Sequence, residues 1–114
     1  MTADDQVGRT FAALTDPTRR AILLRLERGV ATIGELAAPF EIKLPAVMKH
    51  LDVLHDAGLI SREKRGRTVS ITLEPKPMRD AMRWLARYER FWTPRLDRLV
   101  EHAEARETQL KRKQ

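Results

Sequence analysis

The chain has 114 residues, enough for one modest core, and its 42% hydrophobic and 33% charged content is a globular balance rather than a disordered one. It has no cysteine, which excludes disulfides, thiolate metal ligands and cysteine nucleophiles, and its net charge of +6 favours a polyanionic partner. No run approaches the ~20 apolar residues of a membrane helix, and Met1 to Asp5 lack the basic start and apolar run of a secretory signal, so a cytoplasmic location without membrane contact is expected.

In chain order, Val7, Phe11 and Leu14 fall at i, i+4 and i+7 and predict a first helix. Asp16-Pro17 reads as an N-cap followed by proline at the first helical position, opening a second helix that stops near Gly29. Thr32-Ile33-Gly34-Glu35 fits a capping box and starts a short helix over 33–38. A fourth helix over 44–57 has the apolar back Val47, Leu51 and Leu54 and ends near Gly58. Past Gly58 the period changes to two. Val69, Ile71 and Leu73 alternate with Ser70 and Thr72, and 59–64 supply an antiparallel partner across a tip at 65–68. After Pro75 and Pro77 a long helix carries Met78, Ala81, Leu85, Tyr88, Trp92, Leu96 and Leu99, with a kink or break expected near residue 92 because Pro94 removes an amide and crowds the preceding turn. Residues 105–114 read as a polar, frayed tail.

The order is therefore a mainly α chain with a two-stranded β-hairpin: a winged helix-turn-helix over 32–73, followed by a long C-terminal helix, with 1–104 as one DNA-binding and dimerisation domain. In such a unit the second helix of the pair enters the major groove, apolar at its back and polar or small at its front. The predicted front is Lys43, Leu44, Pro45, Met48, Lys49 and His50. His50 divides evenly between a phosphate contact and a partly buried helix residue. Asp52 sits on the same side, either accepting from a cytosine amino group or, the better-weighted reading, pairing with Lys49. Arg19 and Arg20 are further backbone candidates, Arg19 alternatively tying down Asp16.

Arg62, Lys64, Arg65 and Arg67 crowd the hairpin with only Glu63 opposing them. A charged hairpin tip is often merely solvated, but one helix after a helix-turn-helix the cluster points to phosphates or the adjacent minor groove. On the last helix, Trp84, Tyr88, Phe91 and Trp92 form a wide aromatic face. Core packing is the bland explanation. A helix that outlasts its small domain favours pairing with a second subunit, through Val7, Phe11, Trp84, Tyr88, Phe91, Trp92, Leu96 and Leu99. An effector pocket at Trp84 and Tyr88 is weighted lower.

The run TIGELAAPFEIKLPAVMKHLDVLHDAGLI (32–60), with LTDPTRRAIL (14–23) upstream, resembles the ArsR-type winged helix-turn-helix regulators of bacteria. The segment AMRWLARYERFWTPRLDRL (81–99) is similar to a branch described as metal-independent. The resemblance covers about residues 7–100 and implies a homodimeric regulator, usually a repressor of its own or an adjacent operon, on a pseudo-palindromic operator in double-stranded DNA. The namesake metal sensors carry a Cys-x-Cys pair where this chain has Thr32 and Gly34, and the last helix lacks the Asp-x-His pair of other sensors, so neither metal nor cofactor is expected. Many relatives also have serine where Lys43 and Met48 stand, which makes the operator particular to this chain.

No catalytic residues are indicated: the two serines and three histidines are scattered, and no glycine-rich loop precedes a helix. The alternatives to a specific regulator are a winged-helix protein-interaction module and a non-specific nucleic-acid binder. Aromatics absent from the basic wing argue against single-strand stacking.

Overall fold

The computed structural model describes the backbone of residues 3–92 and 94–112 and the side chains of 5–92 and 97–110. Helix α1 (Ala3–Ala13) is followed by α2 (Pro17–Leu26), whose N-cap Asp16 accepts the Arg19 backbone N–H at 3.0 Å. A two-residue strand β1 (Ala31–Thr32) leads into α3 (Ile33–Ala37). The capping box forms as the spacing predicts: the Glu35 N–H donates to Thr32 Oγ1, and the Thr32 N–H donates to Glu35 Oε1, each at 3.2 Å. Helix α4 (Leu44–Asp56) has proline in its first turn and closes at Gly58, whose φ of 75° lets the Leu59 N–H turn back to the Leu54 carbonyl at 2.9 Å.

The hairpin of β2 (Ile60–Arg65) and β3 (Thr68–Leu73) pairs Ile60 with Leu73 and Arg65 with Thr68, leaving Gly66-Arg67 as a two-residue loop. Gly66 takes the positive φ (62°) that the first position of such a loop requires. The expected two-stranded hairpin is present, but β1 adds a third strand. It pairs antiparallel with β3 (Ala31 with Ile71, Thr32 with Ser70), giving the order β1-β3-β2.

The core lies where α2, α3 and α4 meet this sheet, with Ile22, Leu36, Val47, Leu51, Leu54, Leu59 and Ile71 almost fully buried. Gln6 of α1 donates from Nε2 to the Ala57 carbonyl at 2.9 Å, fastening α1 to the end of α4. Helix α5 (Lys76–Ala86) buries Pro77 and Ala81, and Met78 packs on the core.

The break expected near residue 92 is present: α5 ends at Ala86, a 3-10 turn over Glu89–Phe91 follows, and α6 (Pro94–Arg112) restarts at the proline. Proline cannot donate to the preceding turn, and the chain ahead of it tightens into i→i+3 bonds, from the Phe91 N–H to Tyr88 and from the Trp92 N–H to Glu89. Thr93, which together with Pro94 the sequence offers as a cap for the restarted helix, lies outside the described residues. Helix α6 runs through 105–112, a stretch rich in helix formers and without glycine or proline. The chain forms two compact units, Met1–Trp84 and Leu85–Gln114. The first is a winged helix-turn-helix.

Candidate nucleic-acid interface

Helix α4 turns its buried stripe, Val47, Leu51 and Leu54, inward. At about 100° per residue, the opposite stripe is Pro45, Lys49, Asp52 and Asp56 at i, i+4, i+7 and i+11, and all four are exposed. Lys43 and Leu44 are exposed at the helix start, and Val53 flanks the stripe. Of the predicted front, Lys43, Leu44, Pro45 and Lys49 are presented to solvent. Met48 and His50 differ. Both sit one step from a buried position on the helix wheel, so they fall on its flanks: Met48 is half-buried against the core, and His50 turns toward the α1–α2 junction.

There His50 Nδ1 lies 3.3 Å from Arg19 Nη1 and 3.8 Å from Asp16 Oδ2. Arg19 is not tied to the Asp16 carboxylate through its guanidinium. It donates instead to the last carbonyls of α1, from Nε to Ala13 (2.8 Å) and from Nη2 to Ala12 (3.1 Å), while Arg20 Nη1 donates to Leu14 (2.7 Å). Arg19 thus caps the C-terminal end of α1, and Arg20 the Leu14 carbonyl just beyond it. The Arg19 backbone N–H, and to a smaller extent the His50 ring, hold the Asp16 carboxyl below the ordinary carboxylate value against a partial burial effect.

The wing side chains sort by strand alternation. Arg62 lies toward α4 and donates from Nη2 to Asp52 Oδ1 at 2.6 Å; its side chain is 27% exposed, and its Nε is buried without a partner. Arg62 is therefore not a free wing cation, and Asp52 pairs with it rather than with Lys49. Glu63 and Arg65 share the other face, with Arg65 Nε and Nη2 both 2.8 Å from Glu63 Oε1. Lys64 and Arg67 are exposed and make no ion pair among the described residues. The pairing of Asp52 with Arg62 was missed because it joins residues ten apart across two elements; the opposite charges on the helix front and the adjoining strand were its only trace in the sequence.

The aromatic residues separate in the same way. Within the first unit, Phe11 and Trp84 pack edge to face on each other with centroids 6.1 Å apart, and both, like Val7, are half-buried. Part of the expected subunit contact is thus spent inside one chain. In the second unit Tyr88 and Phe91 stack at 6.3 Å, and the Arg90 guanidinium lies 4.9 Å from the Phe91 ring centre. Phe91, Trp92 and Leu99 remain more than half exposed. The Leu96 side chain is outside the described residues. Among the described residues no helix is long and apolar enough to cross a membrane, and no group of three His, Cys, Asp or Glu is placed to hold a metal ion.

A helix-turn-helix domain family matches residues 14–63. The transcriptional repressor SdpR of Bacillus subtilis is 33% identical over 82 residues, which is 72% of this chain and 91% of that protein. The HTH-type transcriptional regulator Rv2034 of Mycobacterium tuberculosis is 40% identical over 85 residues, 75% of this chain and 77% of the other. Among solved structures, that of the ArsR family transcriptional regulator RHA00566 is 44% identical and superposes with a TM-score of 0.75 over 80% of this chain and 94% of its own.

Proposed function

The chain belongs to the ArsR family of transcriptional regulators, and we propose that within it this protein is a homodimeric, metal-independent repressor that reads a pseudo-palindromic operator in the cytoplasm. One observation carries the reading. Helix α4 offers an exposed stripe backed by a rigid core, and the wing two elements later in the same unit offers unpaired cations. In this arrangement α4 lies in the major groove, its first turns (Lys43, Leu44, Pro45, Lys49) toward base edges and phosphates, and the wing holds the backbone or the neighbouring minor groove through Lys64, Arg65 and Arg67. The half-buried positions of Met48 and His50 support structural roles for them, with Arg62 acting through Asp52. Residues 1–104 act together as the DNA-binding and dimerising part.

The apolar surplus of the second unit, Phe91, Trp92 and Leu99, supports a two-fold partner, with Tyr88 and Leu96 on the same stretch of sequence. A dimer sets two copies of α4 about 34–36 Å apart, one turn of duplex. If Lys49, Lys64, Arg65 and Arg67 each meet a phosphate, a dimer neutralises about eight, and log K falls against log salt with a slope near −7.

The test is fluorescence anisotropy with duplex from the protein's own upstream region and with a scrambled duplex, at physiological salt. A preference of about 10³ or more for the first is expected. Equal and steeply salt-sensitive binding to both would replace the reading with a non-specific binder, and no binding to either would replace it with a protein-interaction module.

A further inference from the structure

Asp52 stands in the middle of the exposed stripe of α4, and its side chain is 59% exposed. A carboxylate there is repelled by phosphate and by base edges that offer acceptors, such as guanine N7 and O6 or thymine O4. The cytosine N4 amino group suits it. Adenine also has an amino group, but its N7 acceptor lies beside it on the same edge, whereas the neighbour of cytosine N4 is a C–H.

Arg62 makes this carboxylate a defined acceptor rather than a loose charge. Its Nη2 takes Oδ1 at 2.6 Å, and Oδ2 has no hydrogen bond among the described residues. The Arg62 Nε is buried while the side chain as a whole is 27% exposed, so the guanidinium lies against the protein and is held to Asp52 through Nη2. An arginine so placed is poorly disposed to reach a phosphate and well disposed to fix the orientation of its partner. It also offsets part of the repulsion that an unpaired Asp52 would feel near DNA.

We infer that Asp52, oriented by Arg62, selects a C·G pair at one position of each half-site, its Oδ2 accepting a hydrogen bond from the cytosine N4 amino group in the major groove. Asp52 is the reading residue and Arg62 the positioning residue. The inference rests on the major-groove role of α4 proposed above.

The experiment is selection from randomised duplexes, followed by affinity measurement on single-base variants, with the full-length protein and Asp52→Ala, Asp52→Asn and Arg62→Ala. The unaltered protein should prefer cytosine at one position per half-site by about five- to tenfold. Asp52→Ala, at an exposed helical position where alanine is favoured, should make that position indifferent and leave the others unchanged. Asp52→Asn should move the preference to adenine, whose N6 and N7 suit a carboxamide. Arg62→Ala should weaken the preference at that position alone and keep the salt slope.

A cytosine preference that survives Asp52→Ala overturns the inference, as does a selected site with no cytosine preference. Arg62→Ala weakening all sequences alike, with a slope flatter by about 0.9 per lost contact, would make Arg62 a phosphate contact and overturn its positioning role. Sequence-independent binding by the unaltered protein is a different failure. It removes the specific-regulator reading itself, and the inference with it.

Discussion

Arg67→Ala should flatten the salt dependence of DNA binding while leaving the fold untouched. Arg67 is the second residue of the two-residue wing loop, exposed and without an ion pair among the described residues, so its removal breaks nothing in the free protein. Its loss should move stability by no more than about 0.5 kcal/mol. A dimer carries two copies. If each meets one phosphate, the slope of log K against log salt falls in magnitude by about 1.8. Between about 50 and 200 mM salt, a fourfold change, the affinity advantage of the unaltered protein over the variant should therefore shrink by about twelvefold. Arg65 gives an internal comparison, because DNA must compete with Glu63 for its guanidinium. Glu63→Gln should thus strengthen binding most at low salt. Anisotropy titrations of one duplex across a salt series read both variants. An unchanged slope for Arg67→Ala, or a loss of affinity that differs from one sequence to another, would refute a phosphate contact at the wing tip.

Three further outcomes are expected. Replacing Phe91 and Leu99, each 60% exposed, by glutamate should halve the mass seen in sedimentation and weaken operator binding while the first unit stays folded; a dimer surviving both changes would remove this surface from the interface. Leu54→Ala, at a fully buried position on the inner face of α4, should cost about 2–5 kcal/mol in denaturant unfolding, and a cost under ~1 kcal/mol would contradict the packing described. Three carboxyls are held below their ordinary values: Asp16 chiefly by the Arg19 backbone N–H, Glu35 by the Thr32 backbone N–H, and Asp80 by the Lys76 ammonium. Groups with a depressed folded pKa stabilise above their unfolded values and lose that contribution as pH falls through the folded ones, so Tm should be level down to about pH 5 and drop below about pH 4. Glu35→Gln should make that drop shallower, and a Tm that rises on acidification would contradict the sign.

Local chemistry was what the sequence expressed best. Asp16-Pro17, the Thr32–Glu35 box and Gly58 and Gly66 act over three or four residues, and each forms as its spacing requires. Strand β1 was invisible because two residues carry no period; its pairing with β3 depends on the fold having already brought Ala31 beside Ile71. Met48 and His50 lie on the flanks of α4, a placement set by helical angle rather than by position within the motif. Arg62 and Asp52 show the limit of counting charges: four wing cations in sequence become two unpaired ones once a carboxylate on the helix and another on the strand have taken their shares. The aromatics at 84–92 were legible as surplus apolar surface, but their division between α5 and the 3-10 turn, and the pairing of Phe11 with Trp84, depend on breaks and contacts that no local pattern encodes.

The small pairing of β1 with β3 bears on how the protein meets duplex. Because β1 runs directly into α3 and β3 is one leg of the wing, the pairing at Ala31 and Thr32 ties the helix-turn-helix to the wing through the sheet. If α4 and the wing both meet duplex as proposed, that tie would fix the spacing of the two contacts, and a duplex whose groove width departs from it would have to deform, at an energy that depends on the stiffness of its base steps. Base pairs that no side chain touches would then enter the selection through their mechanics.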